Sequence, residues 1–312
     1  MARNKITIIG AGNVGASVAL WLAPMNLGDI VLKDIPAAGT MPAGKALDLL
    51  QCGPVMGFDA RIMGTTEYGP TEGSDVIVFT GGFPRKPGMS REDLVAKNEE
   101  VVVDVMNEVK RTSPNAIVIM VTNPLDTMAY VAYKTSGFPR NRIMGQAGIL
   151  DSARFCTFIA QELNTSVHSV QAFTIGGHGD EMVPLVRSAT VGGVPLMQTM
   201  SKEKLDSIVE RTRKGGGEIV NLLKTGSAYY APSSATVQMV EAVLRDKNRV
   251  IPCSCYLEGE YGLNDIYFGV PCVLGAGGVK KIVELPLNDD ELALMKKSAD
   301  VVKSSIDALK AM

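Results

Sequence analysis

Histidine is scarce in this chain, and one of the two imidazoles lies in a motif that suits proton transfer. His178 stands in GGHGDEM, where flanking glycines remove neighbouring side chains and Asp180 adds charge. Such an imidazole would be exposed to whatever occupies an adjoining crevice, and histidine changes charge near neutral pH. An ordinary Gly-rich turn has the same composition, so the motif alone leaves both interpretations open. His168, in NTSVHSVQAF, is predicted to be a solvated surface residue.

An acid and an arginine lie three residues apart in LDSAR. This spacing predicts that Asp151 and Arg154 share one face of a helix over residues 150–163. One interpretation is an exposed salt bridge, which is common. The other is that Arg154 binds a substrate carboxylate through two hydrogen bonds while Asp151 orients an imidazole. Two further cations, Arg85 and Arg91, share the Gly- and Pro-rich stretch GGFPRKPGMSR.

A glycine loop at the start of the chain predicts the site of a dinucleotide. The sequence ITIIGAGNVG joins a β-branched run to G-x-G-x-x-G, and the following VGASVALWLA is typical of a helix with an apolar face. The first glycine suits a tight turn, the second lets backbone approach a pyrophosphate, and the third lets helix and strand pack closely. The helix N–H groups would face the phosphates. The predicted cofactor-binding residues of this loop are Gly10, Ala11, Gly12, Asn13, Val14 and Gly15.

An acid at the end of the second predicted strand indicates which dinucleotide binds. Asp34 follows the apolar stretch DIVLK. A carboxylate at this point accepts hydrogen bonds from an adenosine ribose and would repel the extra phosphate of NADP, so NAD is favoured. Lys33 should point to the opposite face of the sheet, because successive strand residues alternate.

The elements that position these residues follow an α/β pattern. The candidate strands ITIIG, DIVLK, DVIVFT, NAIVIMVT and NRIMG alternate with helical segments, as a doubly wound parallel Rossmann sheet requires. A second unit is predicted to hold helices over 150–163, 201–223 and 287–309 and strands over 170–173, 188–191 and 266–273. We therefore expect an N-terminal Rossmann domain over residues 1–147 and a C-terminal α+β substrate domain over residues 148–312.

Composition predicts a cytoplasmic enzyme. The 312 residues are 46% hydrophobic and 21% charged with a net charge of −2, which is typical of a globular chain without a nucleic-acid partner. No apolar run has membrane-spanning length, and Met1 to Asn4 leave no room for a targeting segment before the first strand. The five scattered cysteines form no disulfide framework, and a single C-x-C makes a poor metal site, so we expect buried thiols and no metal.

Six sequence blocks together resemble the lactate/malate dehydrogenase family, in particular the branch whose malate enzymes resemble lactate dehydrogenases. GAGNVG, TGGFPRKPGMSREDL, VTNPLD, LDSARF, GGHGDEMVPL and YYAPSSA occur in family order and cover nearly the whole chain. The resemblance implies NAD-dependent, reversible oxidation of (S)-malate to oxaloacetate. It also implies a homotetramer or homodimer. The expected binding partner is the small-molecule substrate, malate or oxaloacetate.

The same resemblance implies a role for each site residue. His178 would be the general acid/base with Asp151 as its partner, Arg154 would bind the carboxylate beside the reacting carbon, and Arg91 would polarise the ketone from a closing loop. Arg85 would bind the distal carboxylate of the substrate. Asn123 would contact both substrate and nicotinamide, and further NAD contacts would come from Asp34, Asn98, Val121, Thr122 and Asn123.

Two departures from the family pattern and three rival functions accompany this interpretation. The segment after Asp34 is longer than usual, and Glu181 replaces a more usual Thr; we expect Glu181 to face away from the substrate. A lactate dehydrogenase would have an uncharged residue in place of Arg85. An NAD-dependent glycosidase would need a metal-binding Cys/His pair, and a non-catalytic NAD-binding protein would have lost His178, Asp151 or Arg154.

Overall fold

The chain folds around a nine-stranded sheet to which both halves of the sequence contribute. A computed structural model describes residues 3–83 and 91–310, and its elements are as follows. The strands are β1 (Lys5–Ile9), β2 (Asp29–Lys33), β3 (Ile62–Thr65), β4 (Val76–Phe79), β5 (Ile117–Met120), β6 (Ile143–Gly145), β7 (Val170–Gln171), β8 (Thr174–Ile175), β9 (Val183–Pro184), β10 (Thr190–Val191), β11 (Val194–Pro195), β12 (Arg249–Glu258), β13 (Asn264–Gly275) and β14 (Gly278–Ile282). The helices are α1 (Asn13–Leu22), α2 (Met41–Gln51), α3 (Gly53–Met56), α4 (Arg91–Thr112), α5 (Leu125–Ser136), α6 (Gly148–Glu162), α7 (Lys202–Leu223), α8 (Tyr230–Leu244) and α9 (Asp289–Asp307).

The N-terminal strands form the predicted Rossmann sheet. They are parallel and lie in the order β3-β2-β1-β4-β5-β6, which is doubly wound about β1. Strands β4 and β5 are buried along their whole length, and such strands are recognised as continuous apolar runs. The five predicted strands are confirmed. Strand β3, whose sequence IMGT is short and only partly buried, was not predicted.

Helices cover both faces of this sheet. Ile8 of β1 belongs to an apolar cluster with α1 and α8, whereas its neighbour Ile9 belongs to a cluster with α4 and α5. This alternation follows from the two-residue period of a strand. Because parallel strands share one direction, β1, β2, β4 and β5 all end at the same edge of the sheet. The loops that follow these strands carry the predicted cofactor residues.

The C-terminal half extends the same sheet. Antiparallel strands β12, β13 and β14 continue it beyond β6, and Ser254 of β12 pairs with Gly145 of β6. The strand predicted over 266–273 is confirmed within β13, but it lies in the sheet of the N-terminal strands rather than in a sheet of the C-terminal half. Strands β12 and β14 and helix α8 were not predicted. The division into domains at residue 148 stays a prediction.

Other C-terminal elements follow the sequence patterns closely. Helices α6, α7 and α9 match the predicted segments to within two residues at each end. Asn288 caps α9 in a capping box with Glu291, as the acidic start of this segment indicates. Of the strand predicted over 170–173, only Val170 and Gln171 lie in a strand, β7, and β8 begins after it at Thr174; of the segment 188–191, only Thr190 and Val191 are in a strand.

Burial agrees with the expected roles of single residues. Cys253, Cys255 and Cys272 are buried in β12 and β13, while Cys52 and Cys156 are half-buried. His168 is exposed, as predicted. Within the described ranges, no helix combines the length and the apolar character needed to cross a membrane.

Candidate active site

His178, Asp151 and Arg154 form one hydrogen-bonded group. His178 Nδ1 lies 2.8 Å from Asp151 Oδ2, and Arg154 Nη1 donates to Asp151 Oδ1 at 3.1 Å. The Asp151 side chain is 3% exposed, and the side chains of His178 and Arg154 are each 14% exposed. The one-face prediction for Asp151 and Arg154 is therefore confirmed, and the carboxylate reaches the imidazole as well. An exposed salt bridge does not describe this arrangement.

Carboxylates determine the charge state of His178. Burial alone would lower the pKa of the imidazole, and Arg154 acts in the same direction. The attraction and hydrogen bond of Asp151, with the further charge of Asp126, outweigh both and raise the pKa of His178 above 6.5. The carboxylates around His178 therefore stabilise its imidazolium form.

The glycine loop leaves room for a ligand at one of its three glycines. Gly10 has φ of +104°, and a Cβ there would lie 2.6 Å from Gly81 N; a Cβ at Gly15 would lie 1.9 Å from Gly10 O. Both glycines are thus required by the fold itself. A Cβ at Gly12 would meet nothing within 4 Å, and helix α1 has no acid in its first turn. Open space beside a free helix N-terminus fits the pyrophosphate of a dinucleotide.

Asp34 joins the end of β2 to this loop. Its carboxylate accepts hydrogen bonds from Ala11 N at 2.7 Å and from Ile35 N at 2.8 Å. The Ala11 N–H is therefore bound to Asp34, and the carboxylate is fixed beside the loop despite the longer segment that follows. Lys33 points elsewhere, because its Nζ lies 3.7 Å from the ring centroid of Tyr68. Burial lowers the pKa of Lys33.

Asn98 fixes the loops that follow β4 and β5. Its side chain accepts from Phe83 N at 2.7 Å and donates to Phe83 O at 3.2 Å and Asn123 O at 2.7 Å. Thr122 donates from Oγ1 to Gly81 O at 2.5 Å. Asn98 is 1% exposed, whereas the side chain of Asn123 is exposed. Asn98 and Thr122 therefore hold the loop that presents Asn123.

One cleft of about 320 Å³ brings the two predicted sites together. At one end it is lined by Val14 of the glycine loop region and by Val121 and Asn123; at the other it reaches Arg154 and His178. Arg154 Nε is buried and has no hydrogen-bond partner among residues 3–83 and 91–310. The guanidinium thus retains a donor beyond its bond to Asp151. The cleft can hold a small anion between Arg154 and His178.

The side chains of two predicted substrate residues lie outside the described residues. Arg85 lies outside the described residues. Arg91 begins helix α4, and its side chain also lies outside them. Glu181 turns towards α9, where its Oε2 lies 2.9 Å from Lys297 Nζ. The expectation that Glu181 faces away from the substrate agrees with this ion pair.

Several residues of the cleft were missed by sequence reasoning. Arg213 of α7 lines it and donates from Nε to Met182 O at 3.1 Å. A Cβ at Gly215 would lie 3.1 Å from Arg154 Cδ, and one at Gly216 would lie 3.6 Å from Arg154 Nη2. The signal was KGGG inside a helical segment, since glycine costs about 1 kcal/mol there and indicates close approach. Asp126, whose carboxylate accepts from His178 N, was missed as well.

Comparisons with known proteins cover nearly the whole chain. Residues 4–145 match the family model of the lactate/malate dehydrogenase NAD binding domain, and residues 149–312 match that of the lactate/malate dehydrogenase alpha/beta C-terminal domain. Malate dehydrogenase from Roseiflexus sp. (strain RS-1) is 66% identical over 310 residues, which are 99% of this chain and 100% of the relative.

Solved structures of two different dehydrogenases share the fold. Malate dehydrogenase from Salinibacter ruber is 51% identical with a TM-score of 0.93, over 97% of each chain. Lactate dehydrogenase from Cryptosporidium parvum, complexed with lactic acid and nicotinamide adenine dinucleotide, is 42% identical with a TM-score of 0.95, over 98% of each chain. The fold alone therefore does not separate malate from lactate as substrate.

The match to an NAD-binding domain and the 66% identity to a malate dehydrogenase show an oxidoreductase built on this Rossmann sheet. The chain belongs to the lactate/malate dehydrogenase family.

Proposed function

We propose that this protein interconverts (S)-malate and oxaloacetate with NAD as cofactor. The observation that carries the proposal is the single cleft in which His178, bound to Asp151, and Arg154 lie beside Asn123 and the glycine loop. The identity of 66% to a malate dehydrogenase supports the choice of substrate.

NAD would be held by the glycine loop and the ends of neighbouring strands, and it supplies the group that accepts or returns a hydride. The N-terminus of α1 would bind the pyrophosphate at Gly12, and Asp34 would bind the adenosine ribose. Asn123 and Val121 line the same cleft as His178.

His178 would move the proton at its Nε2 atom. The Asp151 carboxylate can only accept, so Nδ1 carries a proton and Nε2 is the atom left for the substrate. Reduction of a ketone builds negative charge on its oxygen, and an imidazolium donor stabilises that charge and then delivers the proton. In malate oxidation the neutral imidazole accepts the proton instead.

Arg154 would bind the carboxylate beside the reacting carbon. Its guanidinium is oriented by Asp151 and packs on the glycine run of α7, so its direction is fixed before substrate binds. Charge-assisted hydrogen bonds to a carboxylate contribute about 1.5–3 kcal/mol each. Following the family resemblance, Arg91 would polarise the ketone oxygen.

Lactate is the second candidate substrate, because the similar Cryptosporidium parvum structure is a lactate dehydrogenase. Arg85 separates the two hypotheses. A guanidinium at this position would pair with the second carboxylate of oxaloacetate and would stay unpaired with pyruvate. Sites that leave a buried polar group unmatched discriminate by about 10⁴-fold.

The test is an initial-rate comparison of oxaloacetate and pyruvate with NADH and NADPH, in the wild type and in Arg85→Gln. We expect the wild type to prefer oxaloacetate and NADH, and Arg85→Gln to lose efficiency with oxaloacetate by orders of magnitude while gaining with pyruvate. Lys86→Gln removes the neighbouring cation and serves as the matched control, which should keep the wild-type preference. Equal changes for both substrates in Arg85→Gln would contradict the role of Arg85.

We also infer that the protein is a cytoplasmic homo-oligomer, a dimer or a tetramer. Large apolar side chains are exposed on three helices of the N-terminal half: Trp21 of α1, Leu47 of α2 and Val55 of α3. Val55 is 86% exposed. A second copy of this chain would remove these side chains from water.

A further inference from the structure

Three consecutive main-chain N–H groups hold the loop that carries His178, and each donates to a different element. The acceptors are Gly269 O of β13 for Gly176 at 2.8 Å, Ser298 Oγ of α9 for Gly177 at 2.9 Å, and Asp126 Oδ2 of α5 for His178 at 2.7 Å. The first two acceptors are neutral. The third, at the catalytic residue itself, is a carboxylate.

Asp126 is buried and fully engaged by donors. The residue is 5% exposed, and its second oxygen, Oδ1, accepts from Ser254 Oγ at 2.6 Å. It lies in the first turn of α5, where the helix dipole favours an anion. The pKa of Asp126 is raised above its ordinary value, because burial outweighs the hydrogen bonds from Ser254 and His178, which lower it. Two donors and a helix N-terminus act in the opposite direction and stabilise the ionised form.

We propose that Asp126 is a positioning residue, which fixes the main chain of His178 and places a second buried negative charge, besides Asp151, close to the imidazole. The inference rests on the proposed function, because it assigns Asp126 to the same proton transfer. Asp126 binds the main chain rather than the ring, so it acts through His178.

Asp126 also couples two parts of the cleft. It follows Asn123 by three residues, so the first turn of α5 links the loop that presents Asn123 to the loop that presents His178. Ser254 joins β12 to the same carboxylate. A single side chain thus sets the spacing between a residue from the N-terminal half and the acid/base from the C-terminal half.

The charge of Asp126 should influence the proton affinity of His178. Among the residues that the structure describes, the other charged groups near the imidazole are Asp151 and Arg154 of α6, Arg213 of α7, and Asp180 and Glu181 of its own loop, with Lys297 of α9 paired to Glu181. Asp126 is buried, as Asp151 is, but it does not touch the imidazole ring. Removal of its charge therefore leaves the Asp151 hydrogen bond in place. The carboxylates of Asp151 and Asp126 both raise the pKa of His178.

The direct test is an NMR titration of the full-length protein labelled in histidine, which has two imidazole signals. His168 is exposed and serves as the internal reference, assigned through His168→Gln. In Asp126→Asn the amide has nearly the same shape and can still accept from His178 N, so the main change is the lost charge. We expect the His178 signal to titrate at lower pH than in the wild type, with His168 unchanged. Titration of His178 at the wild-type pH would overturn the proposal.

Glu181→Gln is the matched control. It removes an acid three residues from His178, but that acid is partly exposed and paired with Lys297, so solvent screens it. The His178 signal should titrate as in the wild type; a shift equal to that of Asp126→Asn would show only an effect of net charge, and would also overturn the proposal.

Two further measurements keep the outcome decisive. The midpoint of the pH profile for oxaloacetate reduction should shift to lower pH in Asp126→Asn, with the Kd for NADH unchanged. If that variant does not fold, Ser254→Ala removes a donor that lowers the pKa of Asp126, so Asp126 should hold its proton to higher pH and His178 should titrate at lower pH; an unchanged midpoint then overturns the proposal. Absence of activity with oxaloacetate in the wild type would instead refute the proposed function. The NMR titration would still test whether Asp126 raises the titration midpoint of His178.

Discussion

At Gly12 an effect of substitution on ligand binding can be distinguished from an effect on folding. Its backbone is extended, with φ of −66° and ψ of −162°, a conformation that alanine adopts without strain. The added Cβ would contact no protein atom within 4 Å. Gly12→Ala should therefore leave folding unchanged or stabilise it by about 0.4–1 kcal/mol, through the lost freedom of the unfolded chain.

Binding of NADH should weaken, because the new methyl group points into the space assigned to the pyrophosphate. Overpacking by one methyl group costs about 1–3 kcal/mol. At about 1.4 kcal/mol for each tenfold change, the Kd for NADH should rise by about 5- to 150-fold. Fluorescence titration with NADH measures the Kd, and thermal unfolding monitored by circular dichroism measures stability.

Two other glycines are the controls for Gly12→Ala. Gly15→Ala would place a Cβ 1.9 Å from Gly10 O, so it should lower Tm, by about 2–4 °C for each kcal/mol lost. Gly44 is exposed in α2 with open space around its Cβ, so Gly44→Ala should raise Tm slightly, because glycine costs about 1 kcal/mol inside a helix, and should keep NADH binding. If Gly12→Ala bound NADH as tightly as Gly44→Ala, or unfolded as readily as Gly15→Ala, the assignment of Gly12 to the pyrophosphate would be refuted.

Three further predictions concern the catalytic pair and the exposed helices. Because the pKa of His178 is raised, oxaloacetate reduction should stay maximal through about pH 6.5 and fall only above it, while malate oxidation rises over the same range; profiles of kcat/KM against pH in both directions check this. Asp151→Asn should lower kcat by about 10²–10⁴-fold with an unchanged Kd for NADH, and a near-normal kcat would remove Asp151 from the mechanism. Val55→Glu should shift the protein towards monomers in light scattering after gel filtration, whereas Val194→Glu, at an exposed site in β11, should not.

Features encoded by neighbouring residues could be predicted from the sequence. The glycine loop, the start of α1 and the acid at the end of β2 lie within one short segment, and the pairing of Asp151 with Arg154 follows from the helical period. The meeting of His178 with Asp151 needed more than spacing. The family resemblance supplied that expectation, and the 2.8 Å contact agrees with it.

Features that depend on distant partners could not be predicted in this way. Strand β12 pairs with β6 only at Ser254 and Gly145, and it has antiparallel partners later in the chain. No local pattern indicates that a C-terminal strand joins the N-terminal sheet. The helix α8 was missed for a related reason: it is buried on most sides, so it lacks the alternation of polar and apolar residues that identifies a surface helix.

Ser254 makes a hydrogen bond that the two-residue period of a strand indicates only in part. The two-residue period of a strand correctly groups Cys253 with Cys255, and by the same period the serine between them must face the other side of the sheet. On that side Ser254 donates to Asp126, 128 residues earlier in the chain, and Asp126 in turn accepts from the main chain of His178. A buried serine between two buried cysteines has no solvent to satisfy its hydroxyl, so it requires a polar partner. The sequence could therefore have indicated that a partner exists, but only the fold identifies it as the carboxylate that accepts from the main chain of His178.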